Sequence, residues 1–324
     1  MTPALLEVEN LNVWFDLPNG GTLHAVQGVS FSVAAGTRLG MVGESGCGKT
    51  TTVLALMGLL PPTASVSGRI KLEGVDLLER GEQTISPHRW KDIAMVFQGA
   101  MNAFDPVKRI GEQISEPMEL HGVATGKEAA ARVRELLATV GIAPDRARSY
   151  PHELSGGMRQ RAAIAMALAC TPRILLADEP TTALDVMVQA QILELLTYLS
   201  DELGLALVFV THDLPIVAQT CTHAAVMYAG KIVEQGPTDA LYHETRHPYT
   251  RLLWAATPDL ESRDDVVSIP GVPPRLDQHI QGCSFAPRCD RAAARCVSER
   301  PELRRVGEGH VSACHFAESL KVVA

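Results

Sequence analysis

The chain has 324 residues, of which 46% are hydrophobic, 20% charged and 5% aromatic, and its formal net charge is -8. This length and composition predict a globular protein with a substantial core and exclude a disordered chain. The acidic balance argues against nucleic acid as a partner, because phosphate backbones are bound by basic surfaces.

The N-terminal segment MTPALLEVENLNVWF lacks the basic start and apolar core of a signal peptide, so we do not expect secretion. No run of about 20 apolar residues is present. The closest candidate, TTTVLALMGLLPPTASVSG, is interrupted by Pro61 and Pro62. We therefore expect that any link to a membrane runs through a partner.

Short apolar segments rich in Val, Ile and Leu predict strands at LEVENLNVWF, TRLGMVG, IAMVF, RILLAD and LALVFVTH. Several are apolar on both faces, which is typical of buried parallel strands in an α/β sheet. Between IAMVFQ and RILLAD, helical periodicity in GKEAAARVRELLATVG and RQRAAIAMALA predicts a helical insertion. MYAGKIVEQGP predicts a hairpin that closes the sheet near Pro237, and beyond it the periodicity fades.

The segment GESGCGKT, residues 43–50, lies between a predicted strand and the helical pattern TTVLALMGLL. Its glycines have the spacing of a P-loop, in which backbone N–H groups surround phosphate oxygens at a helix N-terminus. Lys49 is expected to neutralise the β- and γ-phosphates and Thr50 to ligate Mg²⁺. The predicted ATP-binding residues here are Gly43, Glu44, Ser45, Gly46, Cys47, Gly48, Lys49, Thr50 and Thr51.

In RILLADEP, residues 173–180, an apolar strand is followed directly by acidic residues. Ligands of α/β proteins bind at the carboxyl ends of strands, so Asp178 is placed to hold Mg²⁺ through water. Glu179 is placed to polarise a water for attack on the γ-phosphate. The alternative is that the two acids cap a helix that begins at PTTALD.

Five motifs, GESGCGKT, LSGGMRQR (154–161), RILLADEP, TTALD and VFVTH, occur in an order that is similar to the nucleotide-binding subunit of ABC transporters, over about residues 5–237. The resemblance implies an α/β, P-loop ABC-type domain with a mostly parallel core sheet, antiparallel N-terminal strands and an inserted helical subdomain. It also implies that ATP binds between two such subunits.

The resemblance assigns further roles by position. Ser155, Gly156 and Gly157 would present a helix N-terminus to the ATP of the other subunit, and Asp185 would lie at the dimer interface. Gln98 would sense the metal and the attacking water, and His212 would contact the γ-phosphate. Phe15, or its neighbour Trp14, would stack on adenine, although either could instead pack within the strand.

The segments QGAMNAFDPVKRIGEQI (98–114), EPTTALDVMVQAQIL (179–193) and HPYT (247–250) resemble one branch of the family, the oligopeptide and dipeptide importers. The chain departs from the general family at Met158, where Gln is usual, and at Thr182, where Ser is usual; both changes are typical of that branch. Phe104-Asp105-Pro106 stands where Leu-Asn-Pro is commoner.

Four of the seven cysteines, Cys283, Cys289, Cys296 and Cys314, gather near the C-terminus without the close spacing of a zinc knuckle. Four thiolates suit a [4Fe–4S] cluster, and residues 283–305 carry six arginines against three acids, which would offset the cluster's negative charge. The stretch GCSFAPRC resembles the C-terminal extension of the peptide-importer branch, whose members carry such a cluster. Zn²⁺ and free thiols remain alternatives.

We therefore expect an ABC ATPase domain at 1–238, with a helical subdomain at about 99–166, and an extension at 239–324 with a four-cysteine region at about 270–315. The expected function is hydrolysis of ATP with Mg²⁺ to power peptide import at the cytoplasmic face of a bacterial inner membrane. The resemblance implies a second ATPase subunit, commonly a paralogue, two transmembrane permeases and an extracytoplasmic substrate-binding protein, and no nucleic acid. Alternatives are another cargo, such as nickel, a glutathione-like compound or an oligosaccharide, and a soluble ABC ATPase outside transport.

Overall fold

The structure, a computed structural model, describes residues 4–18, 20–99, 103–256, 268–278 and 280–320. The strands are β1 (Ala4–Asp16), β2 (Thr22–Ala34), β3 (Arg38–Val42), β4 (Ala64–Leu72), β5 (Val75–Asp76), β6 (Ile93–Val96), β7 (Ile174–Asp178), β8 (Ala206–Thr211), β9 (His223–Tyr228), β10 (Lys231–Pro237), β11 (Arg304–Gly307) and β12 (His310–Ser312). The helices are α1 (Lys49–Met57), α2 (Glu82–Ile85), α3 (Ile110–Leu120), α4 (Gly126–Thr139), α5 (Gly156–Ala167), α6 (Val186–Leu203), α7 (Leu214–Thr220), α8 (Thr238–His243), α9 (Pro248–Ala255) and α10 (Ala294–Ser298).

The chain divides into two compact units, the first built on Leu77–Val208 and the second on the chain before and after that segment. In the first unit, β6 and β7 pair in parallel and every residue of both strands is buried. Helices α3, α4 and α5 occupy the chain between these strands, as the helical periodicity predicts. In helix α4 the buried residues recur at helical spacing, which is the periodicity that predicts a helix here; they are Ala129, Val133, Leu136 and Leu137.

The second unit contains two sheets. In the N-terminal sheet the strand order is β2-β1-β4-β5, and β1 pairs with β4 in antiparallel fashion, with Phe15 opposite Ala64. In the other sheet β3 pairs in parallel with β9, and β9 turns into β10 through Ala229 and Gly230. Both turn residues have positive φ (49° and 79°), as a two-residue type I′ hairpin requires.

The sequence pattern predicts that the sheet ends at the β9–β10 hairpin, but the sheet continues beyond it. Strand β12 pairs with β10, with Glu234 opposite Ser312, and β11 pairs with β12. These two strands are only three and four residues long, so they carry too little alternation to be recognised as strands. The C-terminal segment therefore contributes to the same sheet as the P-loop strand β3.

The other predicted strands and helices are found at the expected places. The five predicted strand segments correspond to β1, β3, β6, β7 and β8, and the two helical segments to α4 and α5. Residues 100–102 of the segment 98–114 lie outside the described residues, as do 257–267, 279 and 321–324 of the predicted extension. The predicted domain boundaries remain predictions.

Candidate functional site

The P-loop connects β3 to α1 in the second unit. Gly43 and Gly48 have φ of 158° and 106°; a Cβ at Gly43 would lie 2.2 Å from the carbonyl oxygen of Met227, and one at Gly48 would lie 2.6 Å from that of Ala25. Only glycine fits so close to a neighbouring backbone. The loop conformation therefore depends on these two glycines.

The lysine of the loop is buried, and it is turned toward the loop's own backbone. Lys49 Nζ donates hydrogen bonds to the carbonyl oxygens of Gly43 (2.7 Å) and Glu44 (3.0 Å). Ser45, Gly46 and Thr50 are exposed, whereas Cys47 is buried and burial raises the pKa of its thiol. The loop thus combines an anchored ammonium group with an exposed rim at the N-terminus of α1, an arrangement suited to phosphate oxygens.

The acidic pair lies in the first unit, at the carboxyl end of β7. Asp178 is the last residue of the strand and is buried, and Glu179 follows in the left-handed region with φ 43°. The Glu179 carboxylate oxygen Oε2 accepts hydrogen bonds from Gln98 Nε2 and from Thr182 Oγ1, each at 2.9 Å. Two of the residues assigned to catalysis, Gln98 and Glu179, are therefore in direct contact.

The Ser-Gly-Gly segment opens α5 in the first unit. Ser155 is the N-cap of α5, and its Oγ accepts the backbone N–H of Met158 at 3.3 Å. A Cβ at Gly157 would lie 2.7 Å from a methyl carbon of Val188, so this glycine allows α6 to approach closely. The next predicted residue, Asp185, is exposed and caps α6 by accepting the Val188 N–H at 3.0 Å.

His212 and the aromatic residues of β1 lie in the second unit. His212 is exposed and follows the last residue of β8, the position that the sequence predicts. The Trp14 ring stacks on His24, with centroids 4.6 Å apart, and lines a pocket together with Leu276 and Arg300. Since adjacent strand residues point to opposite faces, Phe15 points away from that pocket, and the stacking of Phe15 or Trp14 on adenine stays a prediction.

The four C-terminal cysteines line one cavity in the second unit, together with Phe285 and Phe316. Desolvation and the neighbouring cysteines raise the pKa of Cys314 to about 11, and desolvation raises those of Cys283 and Cys289. Backbone N–H groups of Arg291 and Phe316 lie 3.4 Å from the sulfurs of Cys289 and Cys314. Within the described residues, no group of three or more His, Cys, Asp or Glu is arranged to hold a single metal ion.

Comparison with known proteins identifies two regions. Residues 26–182 match the family model described as ABC transporter, and residues 233–296 match that described as oligopeptide/dipeptide transporter, C-terminal region. The chain is 46% identical over 316 residues to the probable peptide ABC transporter ATP-binding protein y4tR of Sinorhizobium fredii, which covers 96% of this chain and 94% of that protein. The chain belongs to the ABC transporter ATP-binding proteins.

Other relatives support the same family assignment. The dipeptide transport ATP-binding protein DppD of Escherichia coli is 42% identical over 318 residues, 97% of each chain. The dimeric post-hydrolysis structure of the ATP-binding cassette MJ0796, bound to ADP and Pi, is 28% identical with a TM-score of 0.64, and covers 72% of this chain and 98% of that one. The resemblance and the fold class predicted from the sequence are thus confirmed: this is an ABC-type ATPase with an α/β P-loop fold.

Sequence reasoning missed several residues that contact the P-loop of this ABC ATPase. Arg288 forms an ion pair with Glu44, and the hydroxyl of Tyr249 accepts the Glu44 backbone N–H. In the sequence, HPYT marks a branch of the family and GCSFAPRC belongs to the predicted four-cysteine region, and neither pattern indicates a contact with the P-loop. None of the helices in the described part of the chain has the length and apolar character needed to span a bilayer.

Proposed function

We propose that this ABC ATPase binds and hydrolyses ATP to power the import of di- and oligopeptides across a bacterial cytoplasmic membrane. The observation that carries the proposal is the presence of a complete P-loop and of an oligopeptide/dipeptide transporter C-terminal region in one chain, which a peptide ABC transporter ATP-binding protein matches almost end to end. Nickel, glutathione-like compounds and oligosaccharides are alternative cargoes that the ATPase itself does not distinguish.

The P-loop would hold the triphosphate through its backbone N–H groups and Lys49, while Thr50, Asp178 and Gln98 would organise Mg²⁺. Glu179 would take a proton from the attacking water as the water oxygen bonds to the γ-phosphorus. The bond from that phosphorus to the β–γ bridging oxygen would break at the same time, releasing ADP and inorganic phosphate. The hydrogen bond between Gln98 and Glu179 supports this role, because it fixes the carboxylate in one position. His212 would contact the γ-phosphate, and Phe15 would stack on the adenine ring.

The ATPase would act as a pair, with each P-loop ATP opposed by Ser155, Gly156 and Gly157 of the other subunit and with Asp185 at the interface. The dimeric cassette structures among its neighbours support this arrangement. The partner would be a second ATPase subunit, often a paralogue. The pair would drive two transmembrane permeases, supplied by an extracytoplasmic substrate-binding protein, from the cytoplasmic face of the membrane.

The test is purification of the tagged chain from its own cells, followed by measurement of ATP hydrolysis in vesicles with and without added peptides. We expect co-purification with integral membrane proteins and hydrolysis that rises when peptide is transported. Lys49→Ala should abolish hydrolysis, whereas Lys127→Ala, which changes an exposed lysine of α4, should not. Co-purification with nucleic acid or ribosomes instead of membrane proteins would contradict the proposal.

We further infer that the four-cysteine cavity holds a [4Fe–4S] cluster, with Zn²⁺ as the alternative. What supports the proposal is that four thiols from separate parts of the extension line one cavity, two of them near backbone N–H groups that would donate to bound sulfur. Bound there, the cluster would cross-link Cys283, Cys289, Cys296 and Cys314 and so stabilise the extension.

The measurement is iron, zinc and acid-labile sulfide content of anaerobically purified protein, with its visible spectrum. Near four irons and four sulfides per chain, with broad absorption that Cys289→Ser abolishes, would support the cluster. Cys170→Ser is the control, because it removes another buried thiol outside the cavity. Zinc alone, or no metal in a folded chain, would contradict the proposed [4Fe–4S] cluster.

A further inference from the structure

The second residue of the P-loop, Glu44, forms an ion pair with an arginine of the C-terminal extension. Arg288 Nη1 donates to Glu44 Oε2 at 2.7 Å and Nη2 donates to Oε1 at 2.9 Å, a two-pronged contact. The guanidinium is buried, with 4% of the Arg288 side chain exposed, and the pairing raises the pKa of Arg288 further above its usual value. A buried guanidinium that donates two hydrogen bonds to one carboxylate holds it more tightly than a solvated ion pair does.

The arginine itself is fixed from several sides. Its Nε donates to the carbonyl oxygen of Pro270 at 2.8 Å, and Nη1 also donates to the Tyr228 hydroxyl at 3.2 Å. The guanidinium carbon lies 5.7 Å from the ring centroid of Tyr228 and 5.9 Å from that of Phe285. Because these contacts fix the rotamer of Arg288, its guanidinium is held in a fixed orientation toward Glu44.

A second group of the extension holds the backbone of the same P-loop residue. The Glu44 N–H donates to the hydroxyl of Tyr249, at 2.9 Å, and Tyr249 is fully buried. Its ring packs against Tyr228 and Phe285, with centroids 4.6 Å and 5.3 Å apart. The hydroxyl is therefore held by an aromatic cluster rather than by a flexible chain.

Glu44 is thus contacted at three points, two of them from the extension. Arg288 holds its carboxylate and Tyr249 its N–H, while its carbonyl oxygen accepts from Lys49 Nζ at 3.0 Å. A shift of Glu44 would therefore move an acceptor of the lysine that is expected to meet the phosphates. Without Arg288, an unpaired carboxylate would also remain in the loop, close to where a triphosphate carries negative charge.

The turn that presents Arg288 begins and ends at cysteines of the cavity. Residues 286–288 form one turn of 3-10 helix, in which the Ala286 N–H donates to the Cys283 carbonyl and the Cys289 N–H donates to the Ala286 carbonyl. The position of Arg288 therefore depends on how Cys283 and Cys289 are held.

We propose that Arg288 and Tyr249 are positioning residues of the ATP site, which fix Glu44 and with it the phosphate-binding lysine, so that the intact cysteine turn sets the affinity for ATP. The inference rests on the proposed role of the P-loop in binding ATP. It adds that a segment outside the nucleotide-binding motifs controls that binding.

The test is a calorimetric titration of the full-length chain with the non-hydrolysable analogue AMP-PNP and Mg²⁺, which measures the dissociation constant of the nucleotide. Arg288→Ala should weaken binding about tenfold, which corresponds to about 1.4 kcal/mol. Tyr249→Phe, which removes one hydroxyl, should weaken it several-fold with little effect on folding. Arg275→Ala is the matched control, because Arg275 is an exposed arginine of the same extension that pairs with Asp277.

A double-mutant cycle separates positioning from general damage. Glu44→Gln should weaken binding about as much as Arg288→Ala, and the double variant should lose no more than the more severe single variant. Additive losses would overturn the inference. Cys289→Ser should also weaken binding, and unchanged affinity in that variant would disconnect the cysteine turn from the ATP site.

Turnover in the assembled transporter provides a further readout. In Arg288→Ala the KM for ATP should rise about tenfold, while kcat at saturating ATP should stay within twofold of the parent. If the parent chain binds and hydrolyses ATP while Arg288→Ala and Tyr249→Phe bind it as tightly as the parent, only the positioning inference is overturned. If the parent itself does not bind ATP, the proposed function fails as well.

Discussion

Replacement of Glu179 by Gln removes a charge while preserving the shape of the side chain. Both hydrogen-bond donors, Gln98 and Thr182, meet the same carboxylate oxygen at 2.9 Å, so the amide oxygen of a glutamine can accept both in the same position. The variant therefore keeps these two hydrogen bonds and loses the proton acceptor. A loss of turnover with unchanged ATP binding then reports on general-base chemistry and not on a displaced loop.

A general base contributes on the order of 10²–10⁴-fold to a rate. Each factor of ten is about 1.4 kcal/mol of barrier, so Glu179→Gln should raise the barrier by about 3–5 kcal/mol. Affinity for ATP should be unchanged, because the P-loop is intact. We expect phosphate release to fall by that factor and the paired, ATP-bound form to accumulate.

The assay combines phosphate release by the purified transporter with size measurement of the ATPase subunits after addition of ATP and Mg²⁺. The control is Glu194→Gln, which changes an exposed glutamate on α6 in the same unit. Turnover of Glu179→Gln at the parent rate would remove Glu179 from the role of base. Loss of ATP binding in that variant would show that the substitution disturbs the site instead.

Further predictions concern contacts that hold the site and the fold. Thr182→Val should lower kcat about five- to tenfold without changing the KM for ATP, since one hydrogen bond to Glu179 is lost, and Thr182→Ser should behave as the parent in the same assay. Phe285→Ala should lower the free energy of unfolding by about 3–5 kcal/mol in urea titration, because the ring is fully buried in the aromatic cluster; a loss below about 1 kcal/mol would show that the cluster contributes little. Glu234→Ala should cost a similar amount, because it leaves two backbone N–H groups and buried His310 without their acceptor, and unchanged stability would mean that these groups find other partners.

The sequence predicts the local parts of the site well. An apolar strand followed at once by Asp178 and Glu179, and glycines that bracket a Gly-rich loop before Lys49, are signals that lie within a few residues. Their physical causes differ: strand burial follows from the local run of apolar residues, whereas Gly43 and Gly48 are required by carbonyl oxygens of Met227 and Ala25, which are distant in the chain. The sequence signals of both features are nevertheless short, so they can be recognised before the tertiary contacts are known.

Contacts between distant segments could not be predicted in this way. Glu44 and Arg288 are 244 positions apart, and no periodicity marks either of them as a partner. The capping of α6 by Asp185, a residue that the resemblance assigns to a dimer interface, is also invisible until the helix boundary is known. The convergence of four cysteines on one cavity could be suspected from their number, but their mutual distance depends on how the extension folds.

The pairing of β12 with β10 has a consequence for solubility. A strand at the border of a sheet exposes unpaired N–H and C=O groups that can recruit another copy of the chain. In the described part of the molecule, β12 occupies that side of β10, and β11 outside it carries Arg304 and Arg305, charges that discourage further pairing. A chain cut before Arg304 would uncover β10 and tend to aggregate, so the roles of the cysteines are better separated by single substitutions than by truncation.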